Sequence, residues 1–184
     1  MNTTSAPRTH DAHATQDGQQ RTAEWLLTGT PRLTGDAPGA PSSFTAASLN
    51  HLADVRGDFA CGHSTPDGHT ALAVDRFSMQ TLCWREDRGV VRFASRADDL
   101  AQGCEIDPQA LFDYLFFHVI PSPRTIWKGV HRLPPGRVLH AQDGRIDLQA
   151  WWTPRFRPTA KTSFVERATE FRQLLQDAVA EQLD

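Results

Sequence analysis

Cys61, His63 and His69 are the first residues whose types and spacing permit chemistry. Cys61 and His63 stand two apart, on one side of an extended strand, and His69 follows beyond the turn signal Pro66-Asp67-Gly68. Three such ligands suit a zinc ion with one open position. The competing reading, and the favoured one, has the histidines solvated at a hairpin and the cysteine as a small strand residue, so no metal is expected. Cys83 and Cys104 have no partner at metal spacing and read as packing residues. Asp75 and Arg76 are adjacent and opposite in charge. They fit an ion pair beside a site or, the favoured reading, a charge pair and cap that order the turn after a strand. Trp127, Trp151 and Trp152 could stack on a ligand, although such residues more often seal a domain edge.

These residues must be positioned by short strands. Residues 1–22 are rich in Thr, Ser, Gln, Ala, Asp and His and are expected to form a disordered tail. Trp25-Leu26-Leu27 is the first apolar patch, and residues 28–43 read as loop. Residues 46–55 suit a short helix with Leu49, Leu52 and Ala53 on one side. From 57 to 95 the pattern turns to strands, expected at 58–64, 69–75, 81–84 and 90–94 as antiparallel members of one sheet. Asp107 and Pro108 open a helix that should stop before Pro121, with Ile106 and Leu111 as a staple and Leu111, Tyr114, Leu115 and His118 on one face. Prolines at 121, 123, 134 and 135 bracket an irregular segment in which Gly129 and Gly136 supply positive φ. A hairpin over 137–141 and 146–151 turns at Asp143-Gly144. Ser163 and Glu166 form a capping box for a final helix with Phe164, Phe171, Leu175 and Val179 on one face.

A chain of 184 residues suits one domain rather than two. Its 19 Lys and Arg nearly balance 22 Asp and Glu without a block of one sign, so nucleic acid and membrane surfaces have no electrostatic support as partners. The longest apolar run, around 115–120, is interrupted by His118 and is no membrane span. No basic start leads into an apolar stretch, so no secretory signal is expected. Three cysteines without paired spacing fit a reducing compartment, and the expected location is cytoplasmic.

Several segments together resemble the glutamine-hydrolysing asparagine synthetase family. Arg56-Gly57-Asp58-Phe59-Ala60 is similar to that family's R-G-x-F-A strand. Val74-Asp75-Arg76-Phe77-Ser78, followed by Thr81-Leu82, resembles A-R-D-R-x-G…P-L, with Ser78 for the glycine and Thr81 for the proline. Phe93-Ala94-Ser95 matches F-A-S-E, with Arg96 in place of the acid. The longest match joins Pro121-Ser122-Pro123-Arg124-Thr125-Ile126-Trp127-Lys128-Gly129-Val130 to Leu133-Pro134-Pro135-Gly136, against P-x-P-x-T-I-F-x-G-I-x-K-L-P-P-G. Trp151-Trp152 stands where the family has Y-W, and helix 163–183 is similar to the one that leads into its synthetase domain. Gly57, Phe59, Asp75, Arg76, Ser95, Thr125, Ile126, Gly129, Leu133, Pro135 and Gly136 are thereby expected to be structural motif positions.

The resemblance implies an α+β fold of the N-terminal-nucleophile hydrolase type, a class II glutamine amidotransferase with stacked antiparallel sheets and flanking helices, incomplete at both ends. It implies a disordered tail over 1–22, a partial amidotransferase domain over 23–155, and over 156–184 a linker and the first helix of a missing synthetase domain. In the family an N-terminal cysteine releases ammonia from glutamine, and a second domain uses ATP and Mg to convert aspartate to asparagine. Here Asn2 occupies the position of that cysteine, and no S-G-G-x-D-S phosphate loop follows. Cys61-Gly62 resembles the start of a mature amidotransferase, but Cys61 reads instead as a buried strand residue. No catalytic residue is therefore expected, the substrate-binding residues are unknown, and the chain alone should be inactive. The alternative is a non-catalytic scaffold for a split amide ligase related to β-lactam synthetases or lasso-peptide cyclases. The expected partners are a separately encoded synthetase domain or a second copy held through helix 163–183.

Overall fold

A computed structural model describes residues 24–35, 44–156 and 163–183. The disordered tail expected over 1–22 lies outside the described residues. The chain divides into two units, one of Met1–Thr34 and Ser42–Thr153 that holds the sheets, the other of Gly35–Pro41 and Pro154–Asp184 that holds the last helix.

Among the described residues of the first unit ten strands form, β1 Glu24–Gly29, β2 Arg32–Leu33, β3 Val55–Arg56, β4 Phe59–Ser64, β5 Thr70–Val74, β6 Cys83–Asp87, β7 Val90–Ala94, β8 His131–Arg132, β9 Arg137–Gln142 and β10 Arg145–Ala150. A five-stranded sheet has the order β1-β4-β5-β9-β10, a three-stranded sheet the order β7-β6-β8, and β2 pairs with β3. Every named pairing is antiparallel.

Side-chain alternation gives the large sheet two apolar faces. Phe59, Cys61, Ala71, Ala73 and Val138 point to one face, where Phe44, Leu49, Leu52 and Val55 cover them. Ala60, Leu72, Val74, Leu139 and Ala141 point to the other, against Leu82, Val91 and Leu133 with Trp84 and Phe93. The small sheet thus stacks on the second face. Gly62 allows that approach, because a Cβ there would run into the Phe93 ring.

The antiparallel strands expected over 57–95 are present, but in two sheets rather than one: β4 and β5 belong to the large sheet, β6 and β7 to the small one. Alternation marks a strand and its faces, whereas the partner is chosen by the turn at 75–82, which carries the chain between layers. The strand expected at 81–84 runs instead from Cys83 to Asp87, and the chain reverses in a two-residue turn with Arg88 at φ 53° and Gly89 at φ 81°. β1 and β2 were not anticipated, since 25–27 read only as an apolar patch and 28–43 as loop. Residues 36–43 of that loop lie outside the described residues. The segment expected to be irregular contains β8, paired with β6.

Ala46–Asp54 is a 3-10 helix interrupted at His51 rather than an α-helix. Three residues per turn align Leu49, Leu52 and Val55 toward the core and leave Ala53 exposed. Helix α1, Pro108–Phe117, begins where expected: the Asp107 carboxylate accepts the Gln109 amide at 2.9 Å. Its buried positions are Ala110 and Asp113, not the expected face of Leu111, Tyr114 and Leu115. Ile106 and Leu111 are exposed, so the expected staple does not form an apolar cover there.

In the second unit, α2 spans Phe164–Leu183. Its expected capping box is present: Glu166 Oε2 accepts the Ser163 amide at 2.8 Å, and Ser163 Oγ accepts the Glu166 amide at 3.3 Å.

Candidate functional site

The motif residues gather at two knots. The first surrounds Asp75, which follows β5 and is buried. Its Oδ2 accepts the Phe59 amide at 3.2 Å, the Met79 amide at 3.0 Å and the Gln80 amide at 3.3 Å, and its Oδ1 accepts the Phe77 amide at 2.8 Å. One carboxylate therefore folds the whole turn from 76 to 80 around itself and ties it to the start of β4. Asp75 and Arg76 make no ion pair with each other. Arg76 lies over the Trp151 ring, 5.5 Å from its centroid. The capping half of the sequence reading holds and the charge-pair half is corrected, because a buried oxygen surrounded by main-chain amides has no room for its neighbour's guanidinium.

Gly136 closes this knot. Its amide donates to the Asp75 carbonyl at 2.9 Å, and its carbonyl accepts the amides of Trp151 and Trp152 at 3.0 and 3.2 Å. It sits at φ 62°, with the Trp152 carbonyl oxygen 2.6 Å from where a Cβ would lie. Trp151 stacks on Phe59 with centroids 6.2 Å apart and donates its Nε1 hydrogen to the Val74 carbonyl at 3.0 Å. Trp152 meets Phe77 edge-on. These tryptophans seal the sheet end. Beneath them, Thr30 and Gln80 donate to the Asp58 carboxylate, each at 2.6 Å, and the Thr30 bond above all holds that carboxyl below its ordinary range. Gly57, at φ 82°, turns the chain into this corner.

The second knot surrounds Thr125. Its buried hydroxyl donates to the Val130 carbonyl at 2.8 Å and accepts the Trp127 amide at 3.2 Å. The Ile126 carbonyl accepts the Asp107 amide at 2.8 Å, which anchors the start of α1, and the Leu133 amide donates to the Leu82 carbonyl at 2.8 Å. Gly129 is at φ 76°. Arg124 reaches Asp107 at 3.1 Å and Asp113 at 2.9 Å, a pairing not anticipated from the sequence. Trp127 donates to Asp98 at 2.9 Å and is thus tied to a different element from Trp151 and Trp152. Ser95 lies in the bend after β7, and Pro135 is exposed. Neither knot presents a nucleophile beside a base.

Cys61 is fully buried. Burial pushes its thiol up to about 12 against an ordinary 9.0, with an Ala73 backbone hydrogen bond opposing. Its strand partner is Ala73, and His69 lies four residues earlier along the chain, roughly 13 Å away at strand rise. The rings that do meet are His69 and His140, stacked at 5.7 Å, and His63 and Trp25, at 5.8 Å. His140 was not singled out in the sequence, because the pairing that brings β9 beside β5 joins segments far apart in the chain. Burial lowers its pKa. Among the described residues no group of three His, Cys, Asp or Glu could hold a metal ion.

The Cys61 thiol has a measurable consequence. Its folded pKa, about 12, lies above the ordinary 9.0, so between those values the fold keeps a proton that the unfolded chain has lost. Stability from this group is intact below the lower value and declines as pH rises, by up to about 1.4 kcal/mol per pH unit. Urea midpoints are expected to fall as pH rises above the ordinary thiol value, and Cys61→Ala to flatten that slope. An unchanged slope in the variant would contradict the assignment.

An α+β chain of stacked antiparallel sheets with two glycine- and proline-rich knots thus emerges. Residues 42–152 match the glutamine amidotransferase domain family, and the chain belongs to that family. The α+β arrangement of stacked antiparallel sheets agrees with the fold class expected from the sequence. The chain is 30% identical over 130 residues to asparagine synthetase [glutamine-hydrolyzing] 1 of Bacillus subtilis (strain 168), across 68% of this chain and 20% of that protein. It therefore spans about 20% of the length of this curated relative. Among solved structures it resembles the glutamine phosphoribosylpyrophosphate amidotransferase of B. subtilis complexed with ADP and GMP, at 14% identity and a TM-score of 0.39, over 71% of this chain and 30% of that one.

Proposed function

We propose that this chain is an asparagine synthetase-type amidotransferase domain that hydrolyses no glutamine itself and supports an ATP-dependent amide-forming partner. The observation that carries this reading is the state of the cysteines. Cys61 and Cys83 are buried, and Cys104 is half-buried with its thiol near the Leu100 carbonyl at 3.9 Å. A thiol nucleophile must be accessible and close to a base. By contrast, the motif residues that organise the two knots are intact, so the domain keeps its architecture without a reactive thiol.

In this reading the overall reaction is the conversion of aspartate to asparagine, or a related amide ligation, in the cytoplasm. ATP and Mg do not fit the described residues of this chain: they offer no cluster of metal ligands, and the sequence holds no S-G-G-x-D-S loop. Those groups would belong to a synthetase module, for which the apolar side chains of α2 would be a surface. The test is ammonia release from glutamine by the purified chain. None above blank is expected. Release that disappears in Cys61→Ala would overturn the reading.

A further inference from the structure

His63 of β4 pairs with Ala71 of β5, Ala71 with His140 of β9, and His140 with Asp147 of β10. Partners in register point to the same side of a sheet, and so does His69, two residues before Ala71. The row thus brings three histidines to one side of the sheet around the small Ala71. The His69 and His140 rings stack, with centroids 5.7 Å apart and planes 26° from parallel, and both residues are half-buried. The His63 ring turns instead to Trp25, at 5.8 Å. His69 ends the turn between β4 and β5: its carbonyl accepts the Thr65 amide at 2.9 Å and the Thr65 hydroxyl at 3.1 Å. Thr70 and Ala141 are the end pair of β5 with β9, so the His69 ring meets β9 from beyond the end of that ladder. The stack therefore ties the 65–69 turn to β9 at the point where a sheet opens most readily.

The tie depends on charge. Two neutral imidazoles stack without repulsion, and histidine is the side chain that gains charge just below neutral pH. A first proton finds support: Asp147 stands opposite His140, and Asp67 attracts a charged His69. A second proton sets two cations face to face in a half-buried contact, where their repulsion is screened less than in water. Both carboxylates are exposed, so salt and water weaken their hold on that second proton. Arg145 lies on the same side of β10 as Asp147 and adds a further positive charge. His51 and Asp54, on the 3-10 helix that covers this side of the sheet, border a hollow with Leu33 and Thr34. Burial first, and then the charge of His69, lowers the pKa of His140 against the pull of Asp147. The unfolded chain thus binds this proton more readily than the fold does. Stability from His140 is present above the ordinary histidine value and is lost as pH falls below it.

We propose that the His69–His140 stack is an acid-sensitive latch, which holds the 65–69 turn on β9 and releases it when both rings are charged. It stands independently of the function proposed above. The test is amide hydrogen exchange and ring NMR on the full chain, at about pH 7 and about pH 5. Exchange over 65–71, corrected for the intrinsic effect of pH, is expected to rise on acidification relative to the rest of the large sheet. The rise is expected to reach about threefold or more, the factor for two charges roughly 6 Å apart in water. In His69→Gln that rise is expected to vanish and the His140 ring to titrate at higher pH. His63→Gln is expected to change neither. The proposal is overturned if 65–71 shows no acid-specific opening in the unaltered chain, or if the His140 titration is the same in His69→Gln. It is also overturned if His63→Gln removes the opening as fully as His69→Gln, which would place the switch outside the stack.

Discussion

Asp75→Ala is expected to lower the free energy of unfolding by about 3–5 kcal/mol, since each main-chain donor left without its acceptor costs about 1–3 kcal/mol. The carboxylate accepts the amides of Phe59, Phe77, Met79 and Gln80. Its removal leaves these donors unpaired beside the core and frees the turn that joins the two sheets. Asp75→Asn keeps one acceptor oxygen and should cost distinctly less. Urea unfolding of both variants checks the ordering. Equal losses would mean that the side chain fills space and does not organise the turn.

Leu72→Ala is expected to cost about 2–5 kcal/mol, the span for leucine truncation in a closed core. Leu72 is fully buried on the face of β5 that meets the small sheet, among Leu82, Leu133 and Leu139. Neighbouring Gly62 lets the Phe93 ring approach, so the small sheet already stands close and cannot collapse much further into the space left. Thermal unfolding of the variant gives the loss. A cost below about 1 kcal/mol would show that the two sheets are less tightly stacked than the distances imply.

The two substitutions probe one property from two sides. Asp75 sits at the point where the chain leaves the large sheet, and Leu72 at the point where the layers touch. Both are read out by unfolding alone, without an assay of activity. Gly136 and Trp151 bond to main chain from distant segments, and Thr125 ties its own loop to Val130.

Much of this was legible in the sequence because it depends on neighbours in the chain. The Asp107-Pro108 helix start, the Ser163-Glu166 box and the Asp143-Gly144 hairpin are local, and each forms where its residues stand. The capping role of Asp75 was equally readable, for its amides lie within five residues, Phe59 apart. The family, too, was visible in the order and spacing of the motifs over 56–136. What only the tertiary structure decided is pairing between distant segments. Alternation at 59–64 and 83–87 describes strands of the same kind, yet they lie in different sheets, because partner choice depends on which face the turn at 75–82 leaves free. β1 was hidden since six residues of mixed burial carry no period of their own, and only pairing with β4 makes them a strand. The burial of Cys61 beneath Phe44 and Leu49, and with it the raised pKa of its thiol, likewise follows from layers that meet in three dimensions, where a cysteine's acidity is set by the water it is denied.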